Sequence, residues 1–126
     1  IFGLINQITS QDVDGIRQLR AIISMLLGFA EKNPGMTRVL VGDALVTEDD
    51  RLQDRINQLI DRLEASIKQC FRVAVAQGLL GPETDAAARA GIVLSFILGR
   101  WLRYAKSGFR RAPSEFFEQQ VGALVT

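Results

Sequence analysis

The chain has 126 residues and a mass of 13.9 kDa, the size of one domain with a sizeable core. Its 15 Lys and Arg against 14 Asp and Glu leave a net charge of +1; 48% of residues are hydrophobic, no His occurs, and Cys70 is the single cysteine. These values exclude His-dependent triads, the commonest transition-metal ligand, disulfide frameworks and CxxC zinc sites, and they are not those of a free-standing DNA binder.

The longest charge-free apolar stretches, 21–30 and 90–99, have ten residues each. A membrane-spanning helix needs about 20, so no membrane association is expected and a cytoplasmic domain is the default. The sequence opens on Ile1 without a Met or a signal peptide, which raises the expectation of a longer chain.

The pattern is helical throughout, without sustained period-2 alternation. A first helical segment covers Phe2 to about Ile8. A second runs from about Val13 to Lys32, where Ile16, Leu19, Ile23, Leu26, Leu27 and Ala30 keep a 3.6-residue period. Asn33-Pro34-Gly35 stops it, and a short third helix covers Met36 to about Asp43. Thr47-Glu48-Asp49-Asp50 reads as the capped start of a fourth helix, with acids suited to the positive end of the dipole. Leu52, Ile56, Leu59, Leu63, Ile67, Cys70 and Ala74 form its apolar face, and Gly78 and Gly81-Pro82 end it.

The fifth helix runs from about Thr84 to Lys106 and is apolar over much more than one stripe. The sixth starts near Ser114. Six helices make an all-α bundle. Small residues on the fifth helix favour close approach of a second copy. Ala86, Ala90, Val93, Leu94, Ile97, Trp101, Phe117 and Val121 are therefore expected at a homodimer seam, or else they close the protomer's own core.

Residues that carry chemistry are few. Cys70 lies on an apolar stripe and reads as a buried thiol, with no His to activate it. The acids at 48–50 lack EF-hand spacing, and no phosphate-binding glycine motif occurs. No catalytic residue, metal ligand set or cofactor is assigned, and an enzyme has no residues to rest on. Met25, Phe29, Phe71, Phe96 and Trp101 either line an apolar cavity or fill the core.

Charge is unevenly spread: residues 1–63 carry −2 and residues 64–126 carry +3. Arg100, Arg103, Lys106, Arg110 and Arg111 cluster with Trp101, Tyr104 and Phe109, and no acid falls between Asp85 and Glu115. That cluster suits phosphate or an acidic partner, or a solvated helix end.

One string is specific. Leu27-Gly28-Phe29-Ala30-Glu31-Lys32-Asn33-Pro34-Gly35-Met36-Thr37-Arg38-Val39-Leu40 leads to Gly42, Ala44-Leu45 and Glu48, then to Asp50-Arg51-Leu52-Gln53 and Arg55-Ile56-Asn57-Gln58-Leu59. Glu64-Ala65, Gln69, Arg72, Phe96, Gly99, Arg103, Ser107, Phe109, Pro113 and Phe117 continue it. The chain resembles the C-terminal domain of the SlmA family of nucleoid occlusion factors, which are TetR-type DNA-binding regulators.

The resemblance implies an all-helical regulatory and dimerisation domain over residues 1–126, with a helix-turn-helix domain before residue 1. It implies a four-helix dimer seam from the last two helices, a nucleoid location, and DNA binding through that preceding domain. It also implies that the tail of the division protein FtsZ docks between the first two helices, against Leu4, Met25, Gly28, Lys32 and Asn33. Leu4 stands where the family has an Arg. For Gly28 the residues alone suggest close helix packing, and for Asn33 a helix cap. The other reading is the effector-sensing domain of an ordinary TetR-type repressor that binds a small apolar molecule.

Overall fold

A computed structural model describes residues 1–11, 14–42 and 50–126. Among them the chain forms six helices: α1 (Phe2–Gln11), α2 (Gly15–Lys32), α3 (Pro34–Leu40), α4 (Asp50–Ala76), α5 (Ala86–Lys106) and α6 (Phe117–Leu124). The expected start at Val13, the Thr47-Glu48-Asp49 cap and the end of the third helix at Asp43 lie outside the described residues.

Local chemistry sets the helix ends. The Asp14 carboxylate accepts from the backbone N–H groups of Ile16 and Arg17 and caps α2, and Asp85 accepts from Ala88 N–H and caps α5. Gly78, at φ +75°, takes the left-handed turn after α4, and Leu79 N–H reaches back to Ala74 O at 2.9 Å. The sixth helix starts at Phe117, three residues later than expected, because Phe116 takes a left-handed backbone conformation at φ +61° that a right-handed helix cannot include.

The core is a layer of α2, α4 and α5. Leu19, Ile22, Ile23, Leu26, Leu27 and Ala30 give α2 a fully buried face. Leu63, Ile67 and Phe71 from α4 and Val93, Ile97 and Trp101 from α5 close around it. The α4 and α5 helices run antiparallel: Lys68 and Arg72 share a groove with Thr84 and Ala87, whereas Ile60 meets Leu98 and Leu102 at the other end. The α2 helix runs alongside α5, since Trp101 Nε1 donates to Leu26 O at 3.0 Å and Tyr104 Oη donates to Glu31 O at 3.1 Å. At the far end a Cβ on Gly15 would lie 2.6 Å from Ala74 N, so only glycine permits this crossing of α2 on α4. The α1 helix lies over α4, its Phe2 ring 3.7 Å beneath the Arg62 guanidinium carbon.

Six of the eight positions expected at a dimer seam are consumed by this core. Ala90, Val93, Ile97, Trp101 and Val121 have no exposed surface and Leu94 only 6%, while Ala86 and Phe117 are half-buried. The outward face of α5 is instead Ala88, Ile92, Ser95, Gly99 and Leu102, with Ile92 at 52% and Leu102 at 42% exposure. Because α5 is apolar nearly all round, periodicity alone does not decide which stripe turns inward.

Candidate functional site

The candidate groove residues sit on α1 and α2, which pack on one another. Met25, Gly28 and Lys32 are spaced by three and four, so they share one face of α2 beside its buried stripe. Met25 is half-buried and Lys32 exposed. Gly28 is half-buried, and a Cβ placed on it meets nothing within 4 Å. The glycine is therefore not required by close helix packing, the explanation its sequence context suggests. It leaves bare backbone on an accessible helix face, where an extended peptide can approach.

Asn33 is exposed, and its Nδ2 donates to Phe29 O at 2.8 Å, which caps α2. Its carbonyl accepts from Thr37 N–H at 2.9 Å and Thr37 Oγ1 at 2.8 Å, joining α2 to α3 without an intervening loop. Leu4 is 50% exposed on α1. Leu4 thus lies on α1, Met25, Gly28 and Lys32 share one face of α2, and Asn33 ends that helix, while none of the grooves described here is lined by these five residues.

The rest of the surface offers grooves. One of about 480 Å³ between α1, α2 and α4 is lined by Asn6, Thr9, Gln18, Ser66 and Gln69 above Cys70. Ile5, Ala65 and Val73 complete its walls, so the lining mixes polar and apolar groups. Phe71 and Trp101 fill the core and line none of the grooves described here. Cys70 itself is 1% exposed, and burial pushes its thiol up to about 11 from 9.0, which keeps it protonated and unreactive at neutral pH. Among the described residues no group of three His, Cys, Asp or Glu side chains converges on a metal position, and no helix is long and apolar enough to cross a membrane.

The basic cluster divides by role. Arg100 donates to Glu115 O at 2.8 Å and to Gln120 Oε1, and its guanidinium lies 4.8 Å from the Phe96 ring, so it pins α6 to α5. Arg111 pairs with Glu115 at 3.0 Å. Arg103 and Arg110 are exposed.

A family model described as tetracyclin repressor-like, C-terminal domain, of the SlmA-like type, matches residues 13–126. The chain belongs to this SlmA-like C-terminal family. Proteins named nucleoid occlusion factor SlmA are similar to it in sequence. The one from Alteromonas mediterranea is 40% identical over 124 residues, covering 98% of this chain and 64% of that protein. Those from Cronobacter sakazakii and Escherichia coli K12 are 43% and 42% identical over 114 residues, covering 90% of this chain and 58% of each protein. The chain therefore spans about three fifths of the length of these relatives. The all-α fold expected from the resemblance is the fold observed.

The family match covers α2 and its turn into α3 together with the rest of the chain from residue 13 onward. Two features escaped sequence reasoning. The tight Gly15 crossing follows an acid cap and resembles any helix start. The clasp between Glu31 and Ser114 joins residues 83 apart, with no local signature.

Proposed function

We propose that this chain is the dimerisation and partner-binding part of a nucleoid occlusion factor. It pairs with a second copy through the outward face of α5, and it docks the extended tail of FtsZ on the α1–α2 face at Leu4, Met25, Gly28, Lys32 and Asn33. DNA is held by a part of the protein outside these residues, which brings the domain to the nucleoid. There it opposes septum assembly. It works by binding rather than by catalysis.

The observation that carries this reading is the open backbone at Gly28, inside a segment shared with relatives named nucleoid occlusion factor SlmA. An apolar strip bounded by Lys32 suits a short peptide that carries both aliphatic and acidic groups. The exposed Ile92 and Leu102, with Ser95 and Gly99 between them and Ala88 one turn before, suit close packing of two α5 helices.

Titration of a labelled FtsZ tail peptide into the protein tests the assignment. Saturable binding in the micromolar range is expected, weakened by Gly28→Ala at unchanged fold. Leu4→Arg, which restores the family's cation, is expected to tighten it at low salt. A wild-type protein that binds no peptide, or binding indifferent to Gly28→Ala, overturns the assignment.

A further inference from the structure

The turn between α5 and α6 carries charge that the reading above does not use. From residue 86 to residue 114 the chain has Arg89, Arg100, Arg103, Lys106, Arg110 and Arg111 and no acid. Arg103 and Arg110 are exposed, and among the described residues neither has a carboxylate partner. Arg111 keeps 43% of its side chain exposed even while paired with Glu115.

The turn that presents them is firmly built. Ser107 Oγ accepts from the backbone N–H groups of Arg110 and Arg111 at 3.1 and 2.9 Å. Gly108 and Phe109 are both left-handed, at φ +67° and +65°, and Phe109 N–H donates to Tyr104 O at 2.8 Å. The Phe109 ring meets Tyr104 edge-on at 5.2 Å. Buried Pro113 and the Glu31 contact to Ser114 close the far side. A turn already ordered loses little freedom on binding.

We propose that this turn, through Arg103, Lys106, Arg110 and Arg111, contacts the phosphate backbone of duplex nucleic acid. Guanidinium groups match phosphate oxygens in a two-toothed geometry, and a row of them needs no groove. An acidic peptide would need apolar pockets beside the cations, and the grooves described on this molecule are lined by other segments. The contact is independent of base sequence, and it is separate from the DNA-holding part proposed to lie outside this chain. It does not rest on the FtsZ assignment, because it is tested on this chain alone.

Fluorescence anisotropy with a labelled duplex of arbitrary sequence reads the contact in the 126-residue chain. Weak binding at low salt is expected, with log K falling against log[salt] at a slope of about −3, as for roughly three to four neutralised phosphates. The double variant Arg103→Glu/Arg110→Glu is expected to weaken it at least about tenfold and flatten the slope by about 2. Arg103→Gln/Arg110→Gln gives an intermediate loss. Arg55→Glu/Arg72→Glu, the same change of net charge on exposed α4 positions, is expected to stay within about twofold of wild type. Equal losses in the α4 variant, or no duplex binding at low salt, overturn the proposal. So does binding of a polyglutamate peptide with affinity equal to the duplex.

Discussion

The Glu31 carboxylate accepts from the backbone N–H of Ser114 at 2.8 Å and from its hydroxyl, tying the last turn of α2 to the segment that leads into α6. Both groups sit near the surface, so water competes and the bonds contribute modestly. Glu31→Ala is expected to cost about 1 kcal/mol and to lower Tm by roughly 3–5 °C. Ser114→Ala, which keeps the N–H contact, costs less. Thermal denaturation separates the two, and faster hydrogen exchange at residues 110–116 locates the loosened segment. Equal losses in both variants would assign no share to the backbone contact.

Much of the fold is legible in local residues, and what is not has a physical cause. Pro34, Gly78 and Gly108 punctuate helices, Asp14 and Asp85 cap them, and period alone gives the buried faces of α2 and α4. The facing of α5 is not legible, because Ile92 and Ile97 are the same residue type and only packing separates 52% exposure from none. The candidate groove residues follow from the resemblance alone. The residues alone pointed Gly28 toward close packing, and an open helix face is a property of what lies opposite it. Asn33 was legible as a cap, and it is one.

The two faces of α5 respond differently to charge. Ala90→Arg and Ile97→Arg place a guanidinium in a fully buried layer between α2 and α4 and are expected to cost more than about 4 kcal/mol, enough to abolish folding. Ile92→Arg places it on the open face and is expected to change stability of the protomer by less than about 1 kcal/mol. In sedimentation the Ile92→Arg protein is expected to run as a folded monomer. If it stays dimeric, the seam lies off this face.

Cys70 titrates with a sign that can be worked out. Burial raises its folded pKa to about 11 from 9.0, so the fold favours the protonated thiol. Its contribution is complete below pH 9.0, where the folded and unfolded thiols are both protonated, and is lost as pH rises towards about 11, because the unfolded thiol ionises first. The loss reaches about 2–3 kcal/mol at most. Urea denaturation across this range is expected to show a steeper fall for wild type than for Cys70→Ala, in which the other titrating groups remain. Parallel curves would show that the thiol ionises equally easily in both states.

Two glycines of α2 make opposite predictions from the same substitution. At Gly15 a Cβ would lie 2.6 Å from Ala74 N and 2.9 Å from Cys70 O, backbone atoms held by the α4 hydrogen-bond ladder, so neither can yield. The α2 helix would have to lift away, which also strains the 2.8 Å bond from Gly15 N–H to Gln77 Oε1. Gly15→Ala is therefore expected to cost about 2–3 kcal/mol. At Gly28 nothing stands within 4 Å, and replacing a mid-helix glycine by alanine is expected to stabilise by roughly 0.5–1 kcal/mol. Denaturation midpoints of the two variants should move in opposite directions. A stabilised Gly28→Ala protein that binds the tail peptide more weakly would show that glycine stands at this position for access rather than for folding. A destabilised one would mean that the α2 face is covered.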